Sequence, residues 1–363
     1  GEDAYYRQRP TLAIPAPSDR RRPVAERAIA LDDMFALHPA LQPLYPLYQE
    51  GLLAVVHACG SAERSRSHFE AMSAMERGVA EAKASIHSGW IARHLASTAY
   101  RSGSPLRAVA FSNVLPQSLR GSTDAVVLQA LTDFRLALPK EAGVTRVEEL
   151  RRTLSQLYAG ANRQGVQQAA QDTLQVLQAL QRVDPAHYRP AHGAVYPNSD
   201  LGRGLLQVAA LLKAEVGLEV ACLDRGGWDT HVAQGSTTGW MVGNLTDLAN
   251  SLAAFARDLG ERMRQVTLVA MTEFGRRVRE NSALGTDHGR ASVMLVLGGG
   301  VRGGRVYARW RGLEPHQLEE PGDLRVTIDY REVLAELVLK RLGNPHVAQV
   351  FPGFAGKGIG IAR

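Results

Sequence analysis

The chain has 363 residues, of which 45% are hydrophobic and 21% charged, and these proportions exclude collagen, coiled coils and wholesale disorder. The formal net charge is +6, but the basic residues are scattered along the chain, so a nucleic-acid partner is not expected. No run of about 18 apolar residues is present, which predicts no membrane-spanning helix. The two cysteines, Cys59 and Cys222, lie in apolar runs and are predicted to be buried free thiols.

The predicted elements alternate between strand and helix along most of the chain. In chain order they are a strand at 52–57, a helix at 67–77, a strand at 109–111, two helices within 147–183, a helix at 201–216, a strand at 218–223, a helix at 237–264, strands at 266–271 and 292–297, and a helix at 330–342. Such alternation predicts an α/β fold with a mostly parallel sheet covered on both faces. The stretch at roughly 145–215 is interpreted as a helical insertion or cap, and the glycine-rich tail at 356–363 as a mobile segment.

Acidic residues and histidines stand at the ends of the predicted strands. The candidates are Asp229 and His231 after one strand, Glu273 after the next, and Asp287 and His288 before the last. Because ligands of open α/β sheets bind beyond the carboxyl ends of the strands, these side chains are expected to gather at one edge. Carboxylate and imidazole together suit zinc, manganese or iron. Glu273 has three open roles: metal ligand, acceptor for Arg276, or member of a simple salt bridge.

Ser67 stands where a helix is predicted to begin. Its hydroxyl can cap the helix, with Glu70 at the capping-box position. It can instead act as a nucleophile, because the positive end of a helix favours anionic oxygens. Arg64 and Arg66 can then hold an anion, while His68 is open to the roles of metal ligand, catalytic base or core histidine.

Four separated motifs together resemble a known family. They are Arg-Ser-His-Phe at 66–69, Gly-Gly-Trp-Asp-Thr-His at 226–231, Thr-Glu-Phe-Gly-Arg at 272–276 and Thr-Asp-His-Gly at 286–289. In this order they resemble the family called domain of unknown function 1501, a bacterial, sulfatase-like group of the alkaline phosphatase superfamily. The resemblance implies one alkaline-phosphatase-like domain over 1–363, built as a three-layer α/β/α sandwich.

The resemblance also implies a metal-dependent hydrolase of phosphate or sulfate esters, acting on an anionic small molecule or a glycan ester. Ser67 is then the nucleophile, with Arg66 and His68 as further catalytic residues. One or two divalent ions (Zn, Mn, Fe or Ca) are held by a set of five residues: Asp229, His231, Asp287, His288 and Glu273. The sulfatase pattern Cys-x-Pro-x-Arg is missing at Ser67, so a formylglycine mechanism is not expected.

The sequence departs from the family pattern at its start. Family members usually begin with a strand and a Gly-Gly-x-Asp-Gly loop, whose aspartate resembles a metal ligand of the superfamily. The first strand and one metal carboxylate are therefore expected to lie outside these residues. The alternative is a catalytically inactive member that serves as a binding or assembly protein at the cell surface or in the periplasm. Twin-arginine export signals are common in the family, so a periplasmic or secreted location is expected, although this sequence contains no such signal; its oligomeric state is not predicted.

Overall fold

The computed structural model describes residues 2–82, 84–99, 104–132, 143–159, 164–181, 183–185 and 187–363. Its helices are α1 (Glu2–Gln8), α2 (Tyr45–Gln49), α3 (His68–Arg77), α4 (Trp90–Ser97), α5 (Gly143–Ala159), α6 (Gln164–Gln181), α7 (Asp200–Lys213), α8 (Trp240–Leu259), α9 (Tyr330–Lys340) and α10 (Val347–Val350). Its strands are β1 (Ile29–Ala30), β2 (Ala36–Leu37), β3 (Leu53–Gly60), β4 (Ala108–Phe111), β5 (Ala125–Leu128), β6 (Val220–Leu223), β7 (Leu268–Ala270), β8 (Ser292–Leu297), β9 (Arg305–Tyr307) and β10 (Ile328–Asp329).

The strands form one mixed sheet, one parallel sheet and a short pair. In the mixed sheet, β3 pairs in parallel with β9 and β10 along one edge and antiparallel with β8 along the other, and β8 pairs antiparallel with β7. The second sheet has the order β5-β4-β6 and is parallel throughout. β1 and β2 form a separate antiparallel pair. The predicted α/β class is confirmed, and the described strands form no barrel.

β8 is the exception to the predicted parallel arrangement. It runs antiparallel to both of its neighbours, β3 and β7. No helix lies between the end of β7 and the start of β8. A parallel connection needs a crossover of a dozen or more residues that returns to the opposite end of the sheet, and this crossover is usually a helix. The loop after β7 instead turns back at the same end of the sheet, so β8 must run in the reverse direction.

α7 and α8 cover one face of the strands. α7 begins at Ser199, whose hydroxyl accepts a hydrogen bond from the Gly202 amide at 3.0 Å. Its buried Leu201, Leu205 and Val208 recur at helical spacing and join a core with α8, β3 and β8. α7 lies within the stretch interpreted as an insertion, yet it packs in this central core. α6 packs over the parallel sheet instead, with α5 beside it.

α9 and α10 cover the opposite face of the mixed sheet. The carboxylate of Asp329 accepts from the Arg331 amide at 2.8 Å, and Glu332 accepts from the Asp329 amide at 3.0 Å, so a capping box starts α9. The apolar residues of α9, together with those of α10, pack on β3 and β8. Among the described residues, no helix has both the length and the apolar character needed to cross a bilayer.

The prediction of a mobile tail at 356–363 is wrong for its last residues, 360–363. The carboxylate of Glu336 accepts hydrogen bonds from the amides of Gly360 (2.7 Å), Ile361 (3.2 Å) and Ala362 (3.0 Å). Ile361 and Ala362 have exposed fractions of 0%. Glycine content suggests mobility because glycine has wide backbone freedom, but a buried carboxylate with three amide donors holds this segment against α9.

We expect Glu336→Ala to lower the free energy of unfolding by roughly 3 kcal/mol, because it leaves buried amides without an acceptor. Burial raises the pKa of Glu336, but hydrogen bonds from Lys340 and the tail amides outweigh this and lower it. The stabilisation is therefore present above the ordinary carboxyl pKa and is lost as the pH falls through the lowered value. Urea unfolding at pH 7 and pH 4 measures both effects. The exposed Glu50→Ala is the control, and equal stability of the two variants would contradict the tail's anchoring role.

Candidate metal centre

Four loops meet at one edge of the sheets. β3, β6 and β7 end there, and β8 begins there, so the loops at 61–67, 224–231, 271–276 and 286–291 lie together. α3 starts directly from the first of these loops. The acidic residues and histidines of the sequence motifs therefore come from four distant parts of the chain and converge on one place.

His288 is oriented by a backbone carbonyl. Its Nδ1 lies 2.9 Å from the carbonyl oxygen of Arg66. Because a carbonyl oxygen can only accept, Nδ1 must carry the proton, and the neutral ring then presents an unprotonated Nε2. That Nε2 lies 2.8 Å from Oδ1 of Asp229. A histidine with Nδ1 held by an acceptor and Nε2 free is the usual arrangement of a metal ligand.

Two further histidines repeat this arrangement. His68 Nδ1 lies 2.6 Å from Oε1 of Glu273, and His231 Nδ1 lies 3.2 Å from Oδ1 of Asp287. Their Nε2 atoms also face Asp229, His231 at 2.9 Å from Oδ1 and His68 at 3.4 Å from Oδ2. We call His68, Asp229, His231 and His288 the metal cluster.

The donor set fits a transition-metal ion. The ligand atoms of His68, Asp229 and His288 all lie within 4.8 Å of one another. His68 Nε2 is buried and has no hydrogen-bond partner among the described residues, which suits a ligand atom turned towards a cation. The Nε2 atoms of His231 and His288 lie 2.9 Å apart, as two ligands of one ion can. Imidazoles with one carboxylate favour zinc, manganese or iron over calcium, which prefers oxygen ligands.

Asp229 is the electrostatic centre of the site. Burial raises its pKa, but the hydrogen bond and the positive charge of Arg276 lower it and contribute to holding that pKa far below its ordinary value. Arg276 donates to Asp229 Oδ1 at 2.5 Å and to the Thr286 hydroxyl at 3.2 Å. The hydrogen bond to Glu273 is the main cause that raises the pKa of His68. The carboxylate is thus ionised and faces both the imidazoles and a fixed guanidinium.

Two arginines beside the metal cluster have unused donors. Arg66 pairs with Asp323, whose exposed fraction is 0%, and Arg277 lies 3.9 Å from the same carboxylate. The Nε atoms of Arg66 and Arg277 are buried and find no acceptor among the described residues. A guanidinium presents five donors in a planar fork, an arrangement that suits a planar or tetrahedral anion.

Ser67 occupies the N-cap position of α3, but its hydroxyl makes no capping hydrogen bond. Its amide donates to the Ser65 hydroxyl at 3.1 Å, and that hydroxyl contacts Glu70. Glu70 therefore accepts a hydrogen bond from the Ser65 hydroxyl and forms no capping box with Ser67. The hydroxyl of Ser67 therefore does not cap α3, and it makes no hydrogen bond among the described residues.

The structure brings seven of the predicted site residues into one connected network, with Ser67 adjacent to it in the chain. The seven are Arg66, His68, Asp229, His231, Glu273, Asp287 and His288. Glu273 and Asp287 contact Nδ1 atoms, so the geometry places them as acceptors that orient histidines. Of the roles open for Glu273, pairing with Arg276 is not seen, since Arg276 pairs with Asp229.

Sequence reasoning missed three residues of the network. Asn281 donates to Asp287 at 3.0 Å and to the His231 carbonyl at 2.9 Å. Asp323 pairs with Arg66, and Arg277 extends towards the same carboxylate. Asn281 and Asp323 stand in no motif and nothing in the local sequence marks them, whereas the adjacent basic pair at 276–277 is visible in the sequence.

Residues 26–351 match a family described as protein of unknown function (DUF1501). The chain belongs to this family. No curated protein and no solved structure matches the chain. Family membership confirms the resemblance drawn from the motifs, and the placement of this DUF1501 protein among sulfatase-like enzymes stays a prediction.

We expect His288→Ala to weaken Zn²⁺ binding by this DUF1501 protein by at least about 100-fold, because it removes one ligand and its carbonyl-fixed geometry. Equilibrium dialysis with elemental mass spectrometry measures the bound metal. His187→Ala is a matched control, since His187 also pairs with an aspartate, Asp184 at 2.9 Å, but lies on the exposed surface. Equal zinc content in both variants would exclude His288 as a ligand.

Glu273→Ala is expected to weaken zinc binding by roughly 10–100-fold, because His68 loses the acceptor that orients its ring. Glu273→Gln keeps an amide oxygen that can accept from Nδ1 and should recover part of the affinity. A zinc titration of the three proteins tests this order. If the alanine variant binds zinc as tightly as the parent, Glu273 does not position His68.

Proposed function

We propose that this DUF1501 protein is a metal-dependent hydrolase of phosphate or sulfate esters with Ser67 as its nucleophile. The observation that carries the proposal is the convergence of three imidazole Nε2 atoms on Asp229, each ring held at Nδ1 by an acceptor. Such convergence at a loop edge, beside buried arginine donors, supports a metal site that handles anions. The sulfatase-like assignment and an exported location belong to this proposal as well.

His68, Asp229 and His288 would hold the ion, with His231 as a further donor on the same carboxylate. When bound, a divalent ion supplies positive charge that polarises an ester oxygen and favours the ionised form of a hydroxyl. Glu273 and Asp287 keep two of the rings in the required tautomer, and Arg276 holds Asp229 in place.

Ser67 would supply the attacking oxygen. It stands at the first turn of the ten-residue helix α3, where unpaired amides favour an anionic oxygen and an anionic ester. Its hydroxyl gives up its proton as Oγ forms a bond to phosphorus or sulfur and the bond to the alcohol oxygen breaks. That oxygen leaves with the electron pair and takes up one proton, which balances the proton lost by Ser67. Water then cleaves the seryl ester, which releases phosphate or sulfate and restores the hydroxyl.

Arg66 and Arg277 would hold the non-reacting oxygens of the ester. Their buried Nε groups lack acceptors among the described residues, and both side chains approach Asp323, which limits their rotation. Both side chains are 34% exposed, so the accessible part of each guanidinium can donate charge-assisted hydrogen bonds to an anionic ester. This favours a substrate with at least two free oxygens on phosphorus or sulfur.

We expect Ser67→Ala to lower kcat for p-nitrophenyl phosphate or p-nitrophenyl sulfate by at least about 10³-fold while zinc content is unchanged. The measurement is p-nitrophenol release by the zinc-, manganese- or iron-loaded protein. Arg66→Ala should raise KM and lower kcat, whereas Arg64→Ala serves as its control, because Arg64 is a neighbouring arginine whose side chain is 82% exposed.

The outcomes separate the alternatives. Hydrolysis that survives in Ser67→Ala would remove Ser67 as the nucleophile. Metal binding without turnover of either ester would contradict the hydrolase and favour a non-catalytic binding or assembly protein. Absence of both metal binding and turnover would contradict the metal centre itself.

A further inference from the structure

Large apolar side chains with high solvent exposure gather at the edge of the sheets that carries the metal cluster. Among the described residues, thirteen large apolar side chains are exposed, and seven of them lie in loops or at helix starts of this one edge. We call these seven the apolar rim. Single exposed apolar residues are normal on a protein surface, whereas several of them around one site mark an interaction surface.

Four members of the apolar rim lie on the side of His68. They are Phe69, Met72, Val114 and Leu115. The first two stand at the start of α3, directly after His68. The other two follow β4, which runs parallel to β6 and therefore ends at the same edge. The Ser118 amide donates to the Glu76 carboxylate at 2.8 Å, which holds the segment after β4 against α3.

The other three members lie on the side of His231. They are Val232, Trp240 and Leu284. The Gln234 amide donates to the Leu284 carbonyl at 2.9 Å, and the Met241 amide donates to the Gln234 carbonyl at 3.1 Å, so these segments are in contact. His68 and His231 are thus each followed in the chain by an exposed apolar side chain. The apolar rim borders the metal cluster at two of its four residues.

Leu284 has a backbone conformation that leucine rarely adopts. Its φ is +58°, and the residue is 54% exposed. Glycine, asparagine and aspartate adopt this left-handed conformation more readily than a bulky residue does. A half-exposed leucine gains little from packing at this turn. Its presence in a strained conformation therefore indicates a role in contacts outside the folded chain.

The apolar rim and the metal cluster favour different chemistry side by side. The rim favours an apolar phase, whereas the metal cluster, with Arg66 and Arg277, suits an anion. A phospholipid bilayer offers both, because its acyl chains lie directly below a layer of phosphate groups. A protein partner would have to match several separate side chains around a polar centre, while fluid acyl chains adapt to each of them. Tryptophan and phenylalanine, present at Trp240 and Phe69, are typical of membrane interfaces.

We propose that the apolar rim docks the metal-cluster edge on an anionic phospholipid bilayer. The formal net charge of +6 favours an anionic surface. Arg64, whose side chain is 82% exposed, lies in the loop at 61–67 of this edge. Arg279 is exposed between the loops at 271–276 and 286–291 and makes no ion pair among the described residues. The rim side chains would enter the boundary between headgroups and acyl chains, with the metal cluster at the level of the phosphates.

The docking also names a class of substrate, and this step rests on the proposed function. An ester hydrolase held at the level of the headgroups meets the phosphate esters of lipids directly. The phosphate of phosphatidic acid has three oxygens outside its ester bond. It therefore meets the requirement for at least two free oxygens that can accept from Arg66 and Arg277.

Vesicle flotation tests the docking without any turnover. The 363-residue chain is mixed with vesicles of phosphatidylcholine and phosphatidylglycerol, and the bound fraction gives a partition coefficient. Leu284→Ser should lower this coefficient at least about 5-fold, and the double variant Phe69→Ser, Trp240→Ser at least about 100-fold. Leu339→Ser is the matched control, because Leu339 is also an exposed leucine, at 47%, but lies in the last turn of α9, which starts at the metal-cluster edge and runs away from it.

Thermal unfolding by circular dichroism shows whether each variant is folded, and the single variant Leu284→Ser keeps the test decisive if the double variant is not. Binding that the rim variants lose and Leu339→Ser keeps supports the proposal. Absence of vesicle binding by the parent chain, or equal binding by Leu284→Ser and Leu339→Ser, would overturn it. A dimer in sedimentation velocity that Leu284→Ser abolishes, without vesicle binding, would identify a second copy as the occupant and reject the bilayer.

Phosphate release from vesicles that contain phosphatidic acid is measured separately, with the zinc-loaded protein. Docking together with this release supports both the surface and the lipid substrate. Docking with hydrolysis of p-nitrophenyl phosphate alone would contradict the lipid substrate. Docking without hydrolysis of any ester supports the bilayer surface and contradicts only the proposed hydrolase.

Discussion

The hydrogen bond from His288 Nδ1 to the Arg66 carbonyl is the constraint on which the site depends. It joins the loop after β3 to the loop before β8 and sets the tautomer of His288 without any titratable partner. A carboxylate in its place could change its charge with pH, whereas a carbonyl always accepts. The same bond holds Arg66 beside the metal cluster, so the position of this residue and the orientation of His288 depend on one backbone group.

Asp229 is shared between one guanidinium and three imidazoles. Arg276 contacts its Oδ1, and the three imidazole Nε2 atoms surround the same carboxylate. An ion bound by these ligands would share Asp229 with this guanidinium, which would hold the carboxylate in a fixed position at a cost in affinity. Arg276 is itself held by Thr286, next to Asp287, so the guanidinium stays in place with or without charge beside it.

The sequence was sufficient for the long apolar strands and for most of the acidic residues and histidines that meet at the strand ends. β3, β4, β6, β7 and β8 were predicted because each is an apolar run flanked by polar loops. β9 and β10 have three and two residues, too few for any pattern to emerge. The sheet direction of β8 and the anchoring of the tail by Glu336 depend on tertiary contacts, which local composition does not encode.

The separate roles of the site residues could not be predicted for the same reason. Motifs placed histidines and acids at strand ends, but which acid orients which ring depends on pairs such as His68 with Glu273, 205 positions apart. Asp323 contacts Arg66 across 257 positions and is marked by no motif. Residue types at strand ends predict that a site exists, while roles inside it follow from how loops of different strands pack.

The metal cluster draws its members from loops of both sheets. Asp229 and His231 follow β6, whereas His68 and His288 belong to the half formed by β3, β7 and β8. Helices and loop contacts hold these halves together, but no backbone ladder crosses between β6 and β7 among the described strands. Ligand geometry tolerates errors of only about 0.5 Å in a working site. Contacts between loops, such as Arg276 with Asp229 and His231 with Asp287, must therefore supply the precision of the metal cluster.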